Sequence, residues 1–121
     1  MANTYNNIAT ILEELGKVDE AEKCYENSLK LRLVILGENH SDTASSYNNI
    51  GNLLQQKNKT KDALKHYESS LRIQIALHGE EHLEVSRLRL LIALMHLKLG
   101  NPYQALHHCQ LAYDISVRLL G

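Results

Sequence analysis

The sequence predicts an all-α solenoid of three stacked helix pairs, and three observations predict it. Tyr5-Asn6-Asn7-Ile8 returns as Tyr47-Asn48-Asn49-Ile50, and 47 − 5 gives a spacing of 42 residues. The same spacing carries Leu12 onto Leu54, Ala21 onto Ala63 and Ala105, Tyr25 onto Tyr67, Gly37 onto Gly79 and Gly121, and His40 onto His82. Within each copy, apolar side chains recur at helical spacing and Gly or Asn separates the helical stretches. Self-similarity at a fixed period of roughly 20 to 50 residues marks units that cannot bury an apolar face alone and must stack on their neighbours.

The first unit, about residues 1–42, opens with a helix from Asn3 to Leu15, where Ile8, Ile11, Leu12 and Leu15 follow Tyr5 at helical spacing. Gly16 stops it. Asp19 and Glu20 begin the next helix, where acids complement the positive end of the macrodipole. Ala21, Tyr25, Leu29, Leu33 and Leu36 predict that helix's buried stripe, and Gly37 ends it. In the loop that follows, Ser41 or Asp42 is the expected cap of the next helix. The second unit, about 43–84, repeats the plan: a helix from Thr43 to Lys57, a turn at Asn58-Lys59-Thr60, and a helix from Lys61 to Leu77. Asn58 stands where the other units have Gly16 and Gly100, which suits a left-handed residue. The third unit, about 85–121, turns at Gly100-Asn101-Pro102, with Pro102 suited to a first helical turn.

Tyr47, Ile50, Gly51, Leu54, Asn58, Ala63, Tyr67 and Ser70, with their counterparts in the first unit, resemble the tetratricopeptide repeat. The 42-residue spacing, the Leu36-Gly37-Glu38-Asn39-His40 loop and the Asp42-Thr43-Ala44 that follows it resemble the subclass found in kinesin light chains. The chain departs from that subclass where Ser41 and Leu83 replace a proline after His, and where Leu90-Leu91 replaces Asn-Asn. The resemblance implies one right-handed superhelical solenoid over residues 1–121 that binds other proteins; the extra solvating helix that usually closes such arrays is not expected after the third pair.

Composition narrows the function. Thirteen basic and fourteen acidic residues leave a formal charge of −1, and no Lys/Arg cluster occurs, so nucleic acid is not the expected partner. No apolar run approaches the roughly 18 residues that span a bilayer, and Cys24 and Cys109, in the first and third copies, read as reduced thiols of a cytoplasmic protein. Neither a phosphate loop nor a nucleophile elbow is present, and no enzyme, metal or cofactor is expected. His78 and His82 flank Glu81 at a spacing that could offer half a metal site, but Gly79 should interrupt the helix there. His107-His108-Cys109 reads as a packed thiol beside two exposed imidazoles. His40 and His82 recur in one loop position, which predicts a ring nitrogen bonded to the backbone of the turn.

The first helices of each pair line the concave side of such a solenoid. Carried over from the tetratricopeptide pattern, the groove positions are Asn3, Asn6, Asn7, Thr10, Glu13 and Glu14, then Ser45, Asn48, Asn49, Asn52, Gln55 and Gln56. Carboxamides offer both donors and an acceptor, so a ladder of them can hold the backbone of an extended peptide. The positions lack the Lys and Arg that grip a terminal carboxylate in related chaperone adaptors. In the third unit the corresponding residues are Leu90, Leu91, Leu94 and Leu97, within a segment apolar on nearly every side. Two readings follow: an overfilled core, or an apolar pocket or docking surface. The last helix carries Leu106, Cys109, Tyr113, Val117 and Leu120 as its expected packing stripe, and surplus apolar surface there predicts self-association through residues 86–121 as a symmetric dimer. Net charge runs from −4 (four basic, eight acidic) through 0 (five and five) to +3 (four and one) along the three units.

Overall fold

The computed structural model describes residues 2–121 and consists of six helices: α1 (Ala2–Glu14), α2 (Val18–Ile35), α3 (Ser41–Gln56), α4 (Thr60–His78), α5 (Leu83–Lys98) and α6 (Pro102–Leu120). They pair as α1/α2, α3/α4 and α5/α6, and the pairs join through α2 on α3 and α4 on α5. Each helix thus packs on its neighbours in sequence, the arrangement of a linear stack.

The turns within pairs share one chemistry. Gly16, Asn58 and Gly100 all have positive φ, at 80°, 61° and 81°. In each, the following amide reaches back to the third-last helical carbonyl: Lys17 to Leu12 at 2.8 Å, Lys59 to Leu54 at 2.9 Å and Asn101 to His96 at 2.8 Å. This left-handed closure satisfies carbonyls the helix end leaves open, and Asn58 adopts it in place of glycine. The loops between pairs differ from expectation. His40, rather than Ser41 or Asp42, is the N-cap of α3, its Nδ1 accepting the Asp42 amide at 3.0 Å, and His82 caps α5 through the Glu84 amide at 3.1 Å. Ser41 already lies inside the helix, whereas the extended His40 backbone aims its ring at an orphan first-turn donor. The recurrent histidines therefore bond the turn, as their repetition predicts.

Small residues set how closely the helices approach. Ala9, Gly51 and Ala93 occupy one register position of the first helices; Ala21, Ala63 and Ala105 occupy one of the second, and all are buried. Tyr25 and Tyr67 fill the space between, and a Cβ on Gly51 would stand 2.8 Å from Tyr67 Cε1. Ser70 donates to the Ala44 carbonyl at 2.9 Å; in the third pair the partners exchange places, and Ser86 donates to the Ala112 carbonyl at 3.0 Å. Around these contacts Ile50, Leu53, Leu54, Val85, Leu88, Ile92 and Met95 form one continuous core, each burial contributing about 1.5 to 3 kcal/mol.

Two expected stripes need correction, and one of the two readings of α5 falls. In α2 the buried residues are Ala21, Tyr25, Ser28 and Arg32; Leu29 and Leu33 are half-buried and Leu36 is exposed. The reason is Arg32, which α2 turns inward to bind acceptors on α1 and α3. In α6 the buried residues are Ala105, Ala112 and Ile115, while Leu106, Cys109, Tyr113, Val117 and Leu120 are exposed. Leu106, Tyr113 and Val117 occupy the register of Leu64, Leu71 and Ile75, which pack into the core of the stack, and α6 has no following pair among the described residues; Cys109 instead stands at the register of Tyr25 and Tyr67, which pack inside their own pairs. Cys109 is accordingly not a packed thiol. The apolar segment of α5 is not overfilled core: Val85, Leu88, Ile92 and Met95 are buried, but Leu90, Leu94 and Leu97 are 47%, 48% and 58% exposed.

Candidate functional site

The first helices of the three pairs lie side by side, and their side chains bond across the seams. Asn49 Nδ2 donates to Asn6 Oδ1 at 3.2 Å, Gln56 Nε2 donates to Glu13 Oε2 at 3.2 Å, and Arg87 Nη2 donates to Asn48 Oδ1 at 3.4 Å. The result is one face made by α1, α3 and α5. Asn7 is exposed; Asn6, Asn48 and Asn49 are half-buried. Asn3 Oδ1 accepts from Arg32 Nη2 at 2.9 Å, so this residue serves the stack as well as the face. Asn52 Oδ1 and Gln55 Oε1 share the single proton of the Tyr67 hydroxyl, whose burial pushes its pKa up to about 12 and keeps it a donor. Thr10 donates to the Asn6 carbonyl at 3.0 Å and lies 3.4 Å from the Tyr25 hydroxyl. Most of the ladder is therefore a connected network rather than a row of free amides; Asn3, Asn7, Asn52 and Gln56 are exposed, and Asn6, Asn48 and Asn49 are half-buried.

Beyond it the face becomes apolar. Leu90, Leu94 and Leu97 form an exposed row on α5, and Leu91 beside them is half-buried against the core. Tyr113, Val117 and Leu120 lie on another helix, α6, and make a separate apolar surface, with Tyr113 70% and Leu120 76% exposed.

Polar groups inside the stack carry no obvious sequence signal. Arg32 is buried, donating through Nη1 to the Asp42 carbonyl at 2.9 Å and to Ser46 Oγ at 2.7 Å, besides its bond to Asn3. One period later stands Gln74, also buried, whose Oε1 has no hydrogen-bond partner. The clue was present: both interrupt an apolar stripe at the same register. In the third pair, Arg89, His96 and His108 cluster where the second has Tyr47, Leu54 and His66. The His96 and His108 rings stack at 5.5 Å, and Arg89 Nη1 lies 3.4 Å from His108 Nδ1. Burial, then the Arg89 charge, pushes His108 down to about 4. The expected pair of exposed imidazoles is thus corrected: His108 is half-buried and only His107 is exposed. Further along, His78 and His82 stack their rings at 4.4 Å across Gly79.

Residues 1–76 match the family model described as tetratricopeptide repeat. Among solved structures, BtubC (BKLC) from P. vanneervenii is similar with a TM-score of 0.92 at 26% identity, over 99% of this chain and 48% of that one. A Podosopora anserina protein named as a kinesin light chain, with nearly identical TPR-like repeats, gives a TM-score of 0.82 at 18% identity, covering 98% and 56% of the two chains. MamA gives 0.77 at 15% identity, covering 99% and 61%. The last two likenesses concern the fold alone, and the chain spans about half the length of the solved structures it matches. No curated protein sequence matches it. Among the described residues, no helix is long and apolar enough to cross a membrane.

Proposed function

We propose that this chain, which belongs to the tetratricopeptide repeat family, is a non-catalytic module that binds an extended segment of another protein along the groove of α1, α3 and α5. Residues 1–121 are read as one continuous stack. The observation that carries the reading is the carboxamide network: Asn7 is exposed and Asn48 and Asn49 are half-buried on one face, the latter two positioned by the Arg87–Asn48 and Asn49–Asn6 bonds. Groups held in this way lose little further freedom when they bind a peptide backbone. The exposed Leu90, Leu94 and Leu97 supply an apolar landing site for a ligand side chain next to the ladder. Two free thiols support a reducing, cytoplasmic location. The test is a peptide-library screen followed by titration of the selected peptide into the Asn48→Ala, Asn49→Ala double variant. Two lost hydrogen bonds of about 1 kcal/mol each weaken binding roughly tenfold or more. Unchanged affinity would sink the ladder.

A second reading is favoured by the other apolar surface. Tyr113, Val117 and Leu120 are exposed together on α6, and a symmetric dimer covers such a patch with one self-complementary contact. Sedimentation at micromolar concentration decides it: Tyr113→Glu converts a dimer to monomer if the patch self-associates, whereas a wild-type monomer rules it out.

A further inference from the structure

The 42-residue register turns the first interface between pairs into a template for the second. Between the first and second pairs, the Arg32 guanidinium fills the space bounded by α1, α2 and α3, held by Asn3 Oδ1, Ser46 Oγ and the Asp42 carbonyl. All three acceptors are neutral, so this site type holds a guanidinium without a direct counter-ion. Between the second and third pairs the equivalent residue is Gln74, a shorter side chain. The space it leaves is a small polar recess lined by Ser45, Asn48, Gln74, Glu84 and Arg87. Ser45 and Glu84 are the register counterparts of Asn3 and Asp42, while Ser46 is replaced by Leu88. Gln74 supplies the missing acceptor: its Oε1 lies in the interior without a partner, on a residue 8% exposed. A buried acceptor left unsatisfied costs about as much as a lost hydrogen bond, so it favours any donor that can reach it. Arg87 at the rim does not make the recess cationic, because Glu84 grips it bidentately, Nε to Oε1 at 2.9 Å and Nη2 to Oε2 at 2.7 Å.

We propose that this recess is the receptor for one guanidinium, the side chain of an arginine on the protein ligand, which takes the place that Arg32 occupies in the preceding interface. The inference rests on the groove-binding reading and adds a side-chain preference to it. Five donors in a planar fork match the recess's neutral acceptors; an ammonium, with three donors around a point charge, matches them less well.

The experiment titrates acetyl-Ala-Ala-X-Ala-Ala-amide peptides, with X arginine, citrulline, lysine, glutamate or alanine, into the wild-type protein and Gln74→Arg. The arginine peptide binds at least tenfold more tightly than the alanine and citrulline peptides. Gln74→Arg fills the recess from within, removes the arginine peptide's advantage over the alanine peptide and raises the unfolding midpoint. Equal binding of all five peptides overturns the recess and leaves the groove intact; so does an arginine advantage that survives Gln74→Arg, or tighter binding of the glutamate peptide. If no peptide binds, the groove reading falls, and acetyl-arginine methylamide decides the recess alone. A shift of the Gln74 side-chain amide resonances that the citrulline analogue does not cause supports the recess, and its absence overturns it.

Discussion

Gly51→Ala isolates the contact that sets the spacing of the central helix pair. Two terms oppose each other. Alanine in a helix interior is favoured over glycine by about 1 kcal/mol. Against this, the new Cβ would stand 2.8 Å from Tyr67 Cε1 and 3.0 Å from Cδ1. The ring cannot swing aside, because it is fully buried and its hydroxyl is tied to Asn52 and Gln55. Overpacking of this kind costs about 1 to 3 kcal/mol. Ala9 does coexist with Tyr25 in the first pair, but among the described residues α1 has one strong neighbour and can yield, whereas α3 and α4 are held between α2 and α5. The upper end of the range therefore applies, and the net loss is about 2 kcal/mol, or roughly 8 °C in melting temperature. In a Tyr67→Leu background the ring is gone, and the same substitution stabilises by about 1 kcal/mol. Urea unfolding of the four proteins, followed by circular dichroism, measures the cycle. Gly51→Ala effects of the same sign and size in both backgrounds refute the close-approach argument.

Other consequences are equally direct. His82→Ala removes the α5 cap and its stacking partner for His78, lowering stability by about 1 kcal/mol while leaving the affinity of a library-selected peptide unchanged; a neutral melt excludes the capping role. Acid weakens the fold through His108. Its folded pKa is pushed down to about 4 by burial and Arg89, with His96 and His107 adding to the effect, so between the ordinary value near 6.5 and about 4 the unfolded chain binds more protons. Stability from this residue is complete above about pH 6.5 and falls as the pH drops through that window. Thermal melts at pH 7, 6 and 5 show the decline, and His108→Leu flattens it; identical slopes contradict the assignment. Lys57→Ala removes ion pairs to Asp19 at 2.8 Å and Glu22 at 3.1 Å, across the first and second pairs, but these are surface contacts and the melting temperature moves little.

Much of the architecture was legible because the repeat tests each assignment more than once. A single Asn58 would be ambiguous, but an Asn at the register of Gly16 and Gly100 implies a left-handed residue, and φ is 61° there. His40 and His82 were readable in the same way, although the cap itself was placed one or two residues late. Stripes were harder. Periodicity locates apolar residues but not the direction of a long polar one, so Arg32, pointing inward to three acceptors, displaced Leu36 from the expected interior. The α6 stripe failed for a different reason. Cys109 shares the register of buried Tyr25 and Tyr67, and Tyr113 that of buried Leu71, but periodicity tells neither that a short thiol leaves a tyrosine's place unfilled nor whether a further pair covers the helix. On the candidate binding face, residue types were readable from the repeat, whereas bonds such as Tyr67 to Asn52 required coordinates, because partners 15 residues apart meet only once two helices have docked.

A protein ligand bound along α1, α3 and α5 must touch residues of all three helices. Titration of an isotope-labelled sample with a library-selected peptide tests it most directly, by following the side-chain amides of Asn7, Asn48 and Asn49 together with the methyl groups of Leu90 and Leu94. These resonances move first and furthest, while Tyr113 and Leu120 on α6 stay in place. Shifts concentrated on α6, with the asparagine amides unmoved, contradict it.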